Sequence, residues 1–286
     1  MVKKSRRNVL KIASTSLVAG SLLPTVSASD QGGPRASLKE YEQTLDEAKA
    51  QFRDYKKDPL KSGVEGFKEV ISDSNVNLAG VEKTVELPDK RSDRGDIQPE
   101  RHRKSKMDVN FYLAGMNLVC PAAEDGSAQS DTPPMPDAWD VFFYFEHNPP
   151  WWSVGGQKPN DILVVSFADR NWYIPSNPRM DTSSRVSKKK EDAYGMVFEY
   201  EDYKWGNNEE MAQIQVKPDE DDVDNDARQV FGTYSHHWSS IDVESVTITA
   251  GGGVSVTVSD SDKQWILNND PDTGESLKSS VADWLC

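Results

Sequence analysis

Cysteine and histidine are scarce in this 286-residue chain: two of the first, Cys120 and Cys286, and four of the second, His102, His147, His236 and His237. There is no C-x-x-C, H-E-x-x-H, G-x-S-x-G, Walker loop or Rossmann glycine fingerprint, which removes the common signatures of metal, hydrolase, nucleotide and dinucleotide sites. Positive charge is also in deficit, with 33 Lys and Arg against 47 Asp and Glu and a formal net charge of -14. Nucleic acids and anionic membranes need a net basic face, so neither is an expected partner. Only 36% of residues are hydrophobic, and no stretch reaches the roughly 20 apolar residues that span a bilayer. No stable membrane insertion is expected.

What the chain does have begins at its N-terminus. Residues 1–28 carry Lys3, Lys4, Arg6, Arg7 and Lys11 and no acid, followed by a short apolar run from Ile12 to Leu23. Pro24 and the small-x-small triplet Val26-Ser27-Ala28 then complete the plan of a cleavable leader. The stretch Ser5-Arg6-Arg7-Asn8-Val9-Leu10-Lys11 resembles the twin-arginine signal consensus S-R-R-x-F-L-K, with Val9 where Phe is usual. That resemblance covers the leader alone. It implies passage through the twin-arginine translocase, a fold formed before export, and an extracellular product with no lipid anchor at the cleavage site.

Taking the five positive charges of the leader from the net charge of -14 leaves -19 on the remainder. Such self-repulsion opposes compaction in dilute salt, whereas at about 1 M salt the Debye length falls to about 3 Å and screens it. An acidic protein with a twin-arginine leader is similar to the exported proteins of halophilic archaea, which implies a salt-adapted protein. Outside the cell two thiols most often pair, so a Cys120–Cys286 disulfide is expected. The chain-entropy model credits a bridge over so long a loop with about 4–5 kcal/mol.

Hydropathy divides the remainder into residues 29–87, read as a helical segment, 88–106, a basic polar linker, and 107–286, a β domain. Leu38, Tyr41, Leu45, Ala48, Phe52 and Tyr55 recur at helical spacing, and Val64, Phe67, Val70 and Ile71 repeat it beyond Pro59. The linker PDKRSDRGDIQPERHRKSK has no apolar period and is a candidate processing site. From Met107 the period becomes two. Strands are expected at Val109–Leu113, Trp139–Phe145, Ile162–Ala168, Gly195–Tyr200, Ala212–Val216 and Arg228–Tyr234. Val246–Ala250 and Val254–Val258 form a hairpin about Gly251-Gly252-Gly253. Leu277–Leu285 reads as a short final helix. The fold class is therefore mainly β: an antiparallel β-sandwich or jelly-roll-like domain preceded by a helical segment and a polar linker.

Three groups of residues offer chemistry. Trp151 and Trp152, with Asp169, Arg170, Asn171, Trp172 and Tyr173, would combine flat aromatic faces with polar groups, a pattern suited to a sugar. Asp222, Asp224 and Asp226 have the alternating spacing that lets carboxylates on a loop converge on Ca²⁺, though the glycine and distal glutamate of an EF-hand are replaced by Ala227 and Thr233. His236 and His237 end a strand, so their side chains leave opposite faces. One of them with His147 and a carboxylate would make a transition-metal site. No cofactor is required by the sequence, and Ca²⁺ is the one candidate ion. These features favour a secreted, salt-adapted, non-enzymatic β domain that binds a ligand, a glycan or another cell-surface component. A secreted hydrolase, metal-assisted or not, and a halocin-like antimicrobial released from a precursor are the alternatives.

Overall fold

The computed structural model describes residues 38–55, 62–74, 76–87, 107–118, 138–148, 160–168, 171–201, 209–219, 228–237, 242–261, 264–267 and 277–280. In chain order the elements are α1 (Leu38–Tyr55), α2 (Gly63–Ser72), β1 (Val76–Leu87), β2 (Met107–Leu118), β3 (Trp139–Asn148), β4 (Asp161–Phe167), β5 (Trp172–Tyr173), β6 (Met180–Thr182) and β7 (Val186–Asp192). They continue with β8 (Gly195–Tyr200), β9 (Glu209–Pro218), β10 (Gln229–His237), β11 (Val243–Ile248), β12 (Val254–Val258), β13 (Gln264–Leu267) and β14 (Leu277–Ser280). The mainly-β, antiparallel expectation holds.

Two antiparallel sheets face each other. The first runs β1-β2-β3-β9-β5, with β6 also on β9; the second runs β13-β10-β4-β8-β7, with β14 also on β10. Alternation along each strand sends one set of side chains inward. Val141, Phe143 and Phe145 of β3 and Ala212, Ile214 and Val216 of β9 thus meet Leu163, Val165 and Phe167 of β4 and Met196, Phe198 and Tyr200 of β8 in one core. Each large apolar side chain withdrawn from water contributes about 1.5–3 kcal/mol.

Both outer faces are covered as well. The α1 stripe Tyr41, Leu45, Ala48 and Phe52, with Phe67 and Ile71 of α2, packs on Tyr112, Ala114, Met116, Phe142, Tyr144 and Met211 of the first sheet. Ser62 caps α2, its hydroxyl accepting the Glu65 N–H at 3.4 Å. On the second sheet, the β11–β12 hairpin lays Ile248, Val254 and Val256 over Ile162, Val164 and Val197. The molecule is layered helix, sheet, sheet, hairpin.

Three differences from the sequence expectation have physical causes. Residues 29–87 are not helical throughout, because Val76–Leu87 is a strand paired residue for residue with Met107–Leu118. Val76, Leu78 and the residues beyond them have a neighbouring strand to bond, and that tertiary pairing sets the conformation of a short apolar run. Leu277–Ser280 is likewise a strand, paired with Gln229–Gly232 of β10, where a final helix is expected from sequence. Lys-rich β7 has little hydrophobic alternation and forms through its ladder to β8. No helix among the described residues is long and apolar enough to cross a membrane, which says nothing of strands. The linker 88–106, the leader, Cys120 and Cys286 lie outside the described residues.

Candidate functional site

The strand register defines two ends of the sandwich. At the upper end β3, β8 and β10 finish while β4 and β9 begin. Phe145 joins the sheets there, with ring centroids 4.8 Å from Tyr200 and 5.6 Å from Tyr234. A buried polar cluster sits beside these rings.

Its centre is Asp161, the first residue of β4 and fully buried. The carboxylate accepts from His236 Nδ1 at 2.9 Å, from the His237 backbone N–H at 3.0 Å and from the Tyr234 hydroxyl. Burial alone would raise this carboxyl; the His236 and His237 rings and the Tyr234 hydroxyl outweigh it and hold the group below its ordinary 3.8. Charge-assisted bonds of this kind are roughly twice as strong as neutral ones. A second buried pair lies on the same inner face. Arg185 Nε donates to Glu210 Oε1 at 2.6 Å, the Ser183 hydroxyl donates to Glu210 Oε2, and the guanidinium lies 5.2 Å from the Tyr200 ring centre.

A different chain of bonds crosses the outer face of the second sheet. His237 Nδ1 lies 3.2 Å from the Asn160 carbonyl oxygen, which only accepts, so this nitrogen carries the ring proton. Nε2 therefore accepts from the Ser235 hydroxyl at 3.0 Å, and Ser235 in turn accepts from Gln264 Nε2 at 2.7 Å. Asn160 Nδ2 meets Glu199 Oε2 at 3.5 Å, and Lys189 pairs with Glu199 Oε1. The belt thus touches β7, β8, β4, β10 and β13 in turn. Burial pushes the His237 ring below its ordinary 6.5, with Asp161 partly opposing that shift.

The expected sites fare differently. His236 and His237 do leave opposite faces of β10, yet both are gathered by Asp161: one through its ring, the other through its backbone N–H. Of the histidines expected to offer a transition-metal ligand, His237 has both ring nitrogens hydrogen-bonded within the fold, to Asn160 and Ser235. Among the described residues no group of three or more His, Cys, Asp or Glu is placed to hold a metal. The side chain of His147 lies outside the described residues, while its backbone pairs with Val109. The aromatic platform is corrected at Trp172, which is 2% exposed and packs edge-on against Trp139 with centroids 6.3 Å apart. Tyr173 beside it is 41% exposed. Asn171 is half-buried at the lower end, its carbonyl accepting from Arg228 Nη1 at 3.1 Å. Trp151, Trp152, Asp169, Arg170, Asp222, Asp224 and Asp226 lie outside the described residues.

The carboxylates of Asp161 and Glu210 and the guanidinium of Arg185 are missing from the sequence expectation. The one available signal is an acid placed against an uninterrupted apolar run, as in Asp161-Ile-Leu-Val-Val, where burial demands a partner.

No known protein family matches the chain, and no curated protein matches it. Among solved structures it is similar to one from a study of pH-induced modulation of Streptococcus parasanguinis adhesion by Fap1 fimbriae, at 10% identity over 59% of this chain and 79% of that one, TM-score 0.28. It is also similar to the pilus backbone RrgB of Streptococcus pneumoniae, at 8% identity over 62% and 83%, TM-score 0.27. The major pilin subunit BcpA of Bacillus cereus follows at 11% identity over 71% and 87%, TM-score 0.26. Scores this low do not establish a shared fold.

Proposed function

We propose that this chain is an exported, salt-adapted, non-catalytic β module that binds a glycan or another component of a cell surface. One observation carries the non-catalytic half of the reading. The Ser235–His237 pair has the distance of a nucleophile and its base, but both residues are fully buried and both are already bonded. A substrate carbonyl has no approach to an oxygen that lies under Gln264, whose Nε2 also reaches the Val256 carbonyl oxygen at 3.4 Å. The pair ties strands together.

The binding half rests on the layering. Helices cover one flat face and a hairpin the other, so recognition falls to the ends and edges. At the upper end β3 finishes and β4 begins, and the sequence between these two strands contains Trp151 and Trp152. The acidic sequence and the twin-arginine leader support export into a salty medium.

Fractionation of a producing culture, followed by binding of the purified protein to its own cell envelopes and to immobilised glycans in molar KCl, tests the proposal. Envelope or glycan binding that survives Ser235→Ala is the expected result. Hydrolysis of an ester, peptide or glycoside substrate that Ser235→Ala abolishes would overturn it.

A further inference from the structure

We propose that His237 is a proton-sensitive latch for the upper end of the second sheet: neutral, it ties β10 to β4 and to the edge strand β13, and taking up one proton unties β13. The wiring leaves room for a single arrangement of hydrogens. The Asn160 carbonyl takes the Nδ1 proton, so Nε2 must accept the Ser235 proton, and the Ser235 oxygen is then free to accept from Gln264. A proton arriving at Nε2 turns that acceptor into a donor aimed at the Ser235 oxygen. The serine must then accept from both His237 and Gln264, and its own hydrogen has lost its acceptor. In a fully buried site a donor without an acceptor carries a desolvation penalty.

β13 is the element poised to yield. It is four residues long and, among the described residues, sits at the sheet edge and pairs with β10 alone, through Tyr234 to His237. The charged and titratable groups around the ring act in opposite directions. Asp161 of β4 lies 3.9 Å from Nδ1 and partly compensates a positive ring. His236 of β10 and Lys189 of β7 oppose the charge, while Glu199 of β8 is taken up by Lys189 and Asn160. Burial, the largest influence, also keeps the ring neutral. The folded protein therefore refuses a proton that the unfolded chain accepts near the ordinary value of 6.5. The stabilisation is fully present above that pH and is lost as pH falls below it. The latch stands independently of any ligand.

Hydrogen exchange of the full chain at fixed molar KCl, corrected for the intrinsic pH dependence of exchange, reads the latch directly. Between pH 8 and 5, protection of residues 264–267 is expected to fall as pH drops below about 6.5, by up to about tenfold per pH unit for one proton. His237→Gln, an uncharged amide, should flatten that profile, and His236→Gln should keep it. A flat wild-type profile, or a slope kept in His237→Gln and lost in His236→Gln, would overturn the proposal. Should His237→Gln not fold, histidine ¹⁵N shifts of the wild-type protein decide: a ring that protonates while residues 264–267 keep their protection refutes the latch.

Discussion

Tyr41→Phe probes how α1 is fastened to the first sheet. The Tyr41 hydroxyl lies 2.5 Å from Asp140 Oδ2 and 3.1 Å from the Met116 carbonyl oxygen. Having one proton, it donates to the nearer, charged acceptor. Asp140 is fully buried and also accepts from Arg179 Nη2 at 2.9 Å and Gln213 Nε2 at 2.6 Å. Phenylalanine keeps the ring that packs in the helix–sheet interface and removes this bond alone. A hydrogen bond to a charged group contributes about 1.5–3 kcal/mol. Because Asp140 retains two donors, we expect a loss of about 2 kcal/mol, or a fall of about 4–8 °C in Tm for a chain of this size. Urea unfolding followed by near-UV circular dichroism in molar KCl measures it. Salt should leave the difference intact, since a buried bond is little screened. A variant within about 0.5 kcal/mol of wild type, the ordinary range of inert surface changes, would refute the idea that this bond fastens α1.

Three further outcomes follow from other parts of the fold. Gly252 sits at φ +77 in the β11–β12 turn, and an added Cβ would meet Phe231 ring carbons at 2.7 Å. Gly252→Ala should cost about 1–3 kcal/mol in thermal unfolding, whereas Gly251→Ala, with nothing within 4 Å, should be tolerated. A protease site engineered into 88–106 should yield two fragments that co-elute in size-exclusion chromatography, because β1 stays laddered to β2 and α1 stays packed on the first sheet. Fragments that part without denaturant would instead favour a releasable propeptide. Burial, and then the neighbouring Glu209, raises the Glu146 carboxyl above its ordinary 4.5, so its charge weakens the fold above that pH and not below it. Glu146→Gln should therefore raise the urea midpoint at pH 7 and leave it unchanged near pH 4.

The elements legible in the sequence were those whose local pattern agrees with their tertiary surroundings. The α1 stripe, the apolar runs of β3 and β4 and the hairpin about Gly251–Gly253 each show their period and their turn. β1 and β14 were not legible, because their conformation comes from β2 and β10, and β7 was hidden by its charge. Within the site, sequence singled out His236 and His237 and the side from which each leaves the strand. It gave no means of finding Asp161, some 75 residues earlier in the chain, which decides what both histidines do. Trp172 shows the opposite failure: an indole in a polar stretch reads as a platform until Trp139 is placed against it.

The described part of each flat face is covered by helices or by the hairpin, and the β7 edge of the second sheet is guarded. A sheet edge offers unpaired backbone groups to any passing strand, and lysines along it are a common defence. On β7 the exposed Lys188 and Lys190 pair within the strand, at 2.6 Å to Glu191 and 2.8 Å to Asp192, while Lys189 reaches Glu199 on β8. The register also shifts between Lys188 and Lys190, a bulge that further spoils the template. These charges are local neutralisations on an acidic protein, so they do not form a basic docking strip. At the upper end, by contrast, the Asp161 cluster and the Arg185–Glu210 pair hold the starts of β4 and β9 and the end of β10 through buried charges.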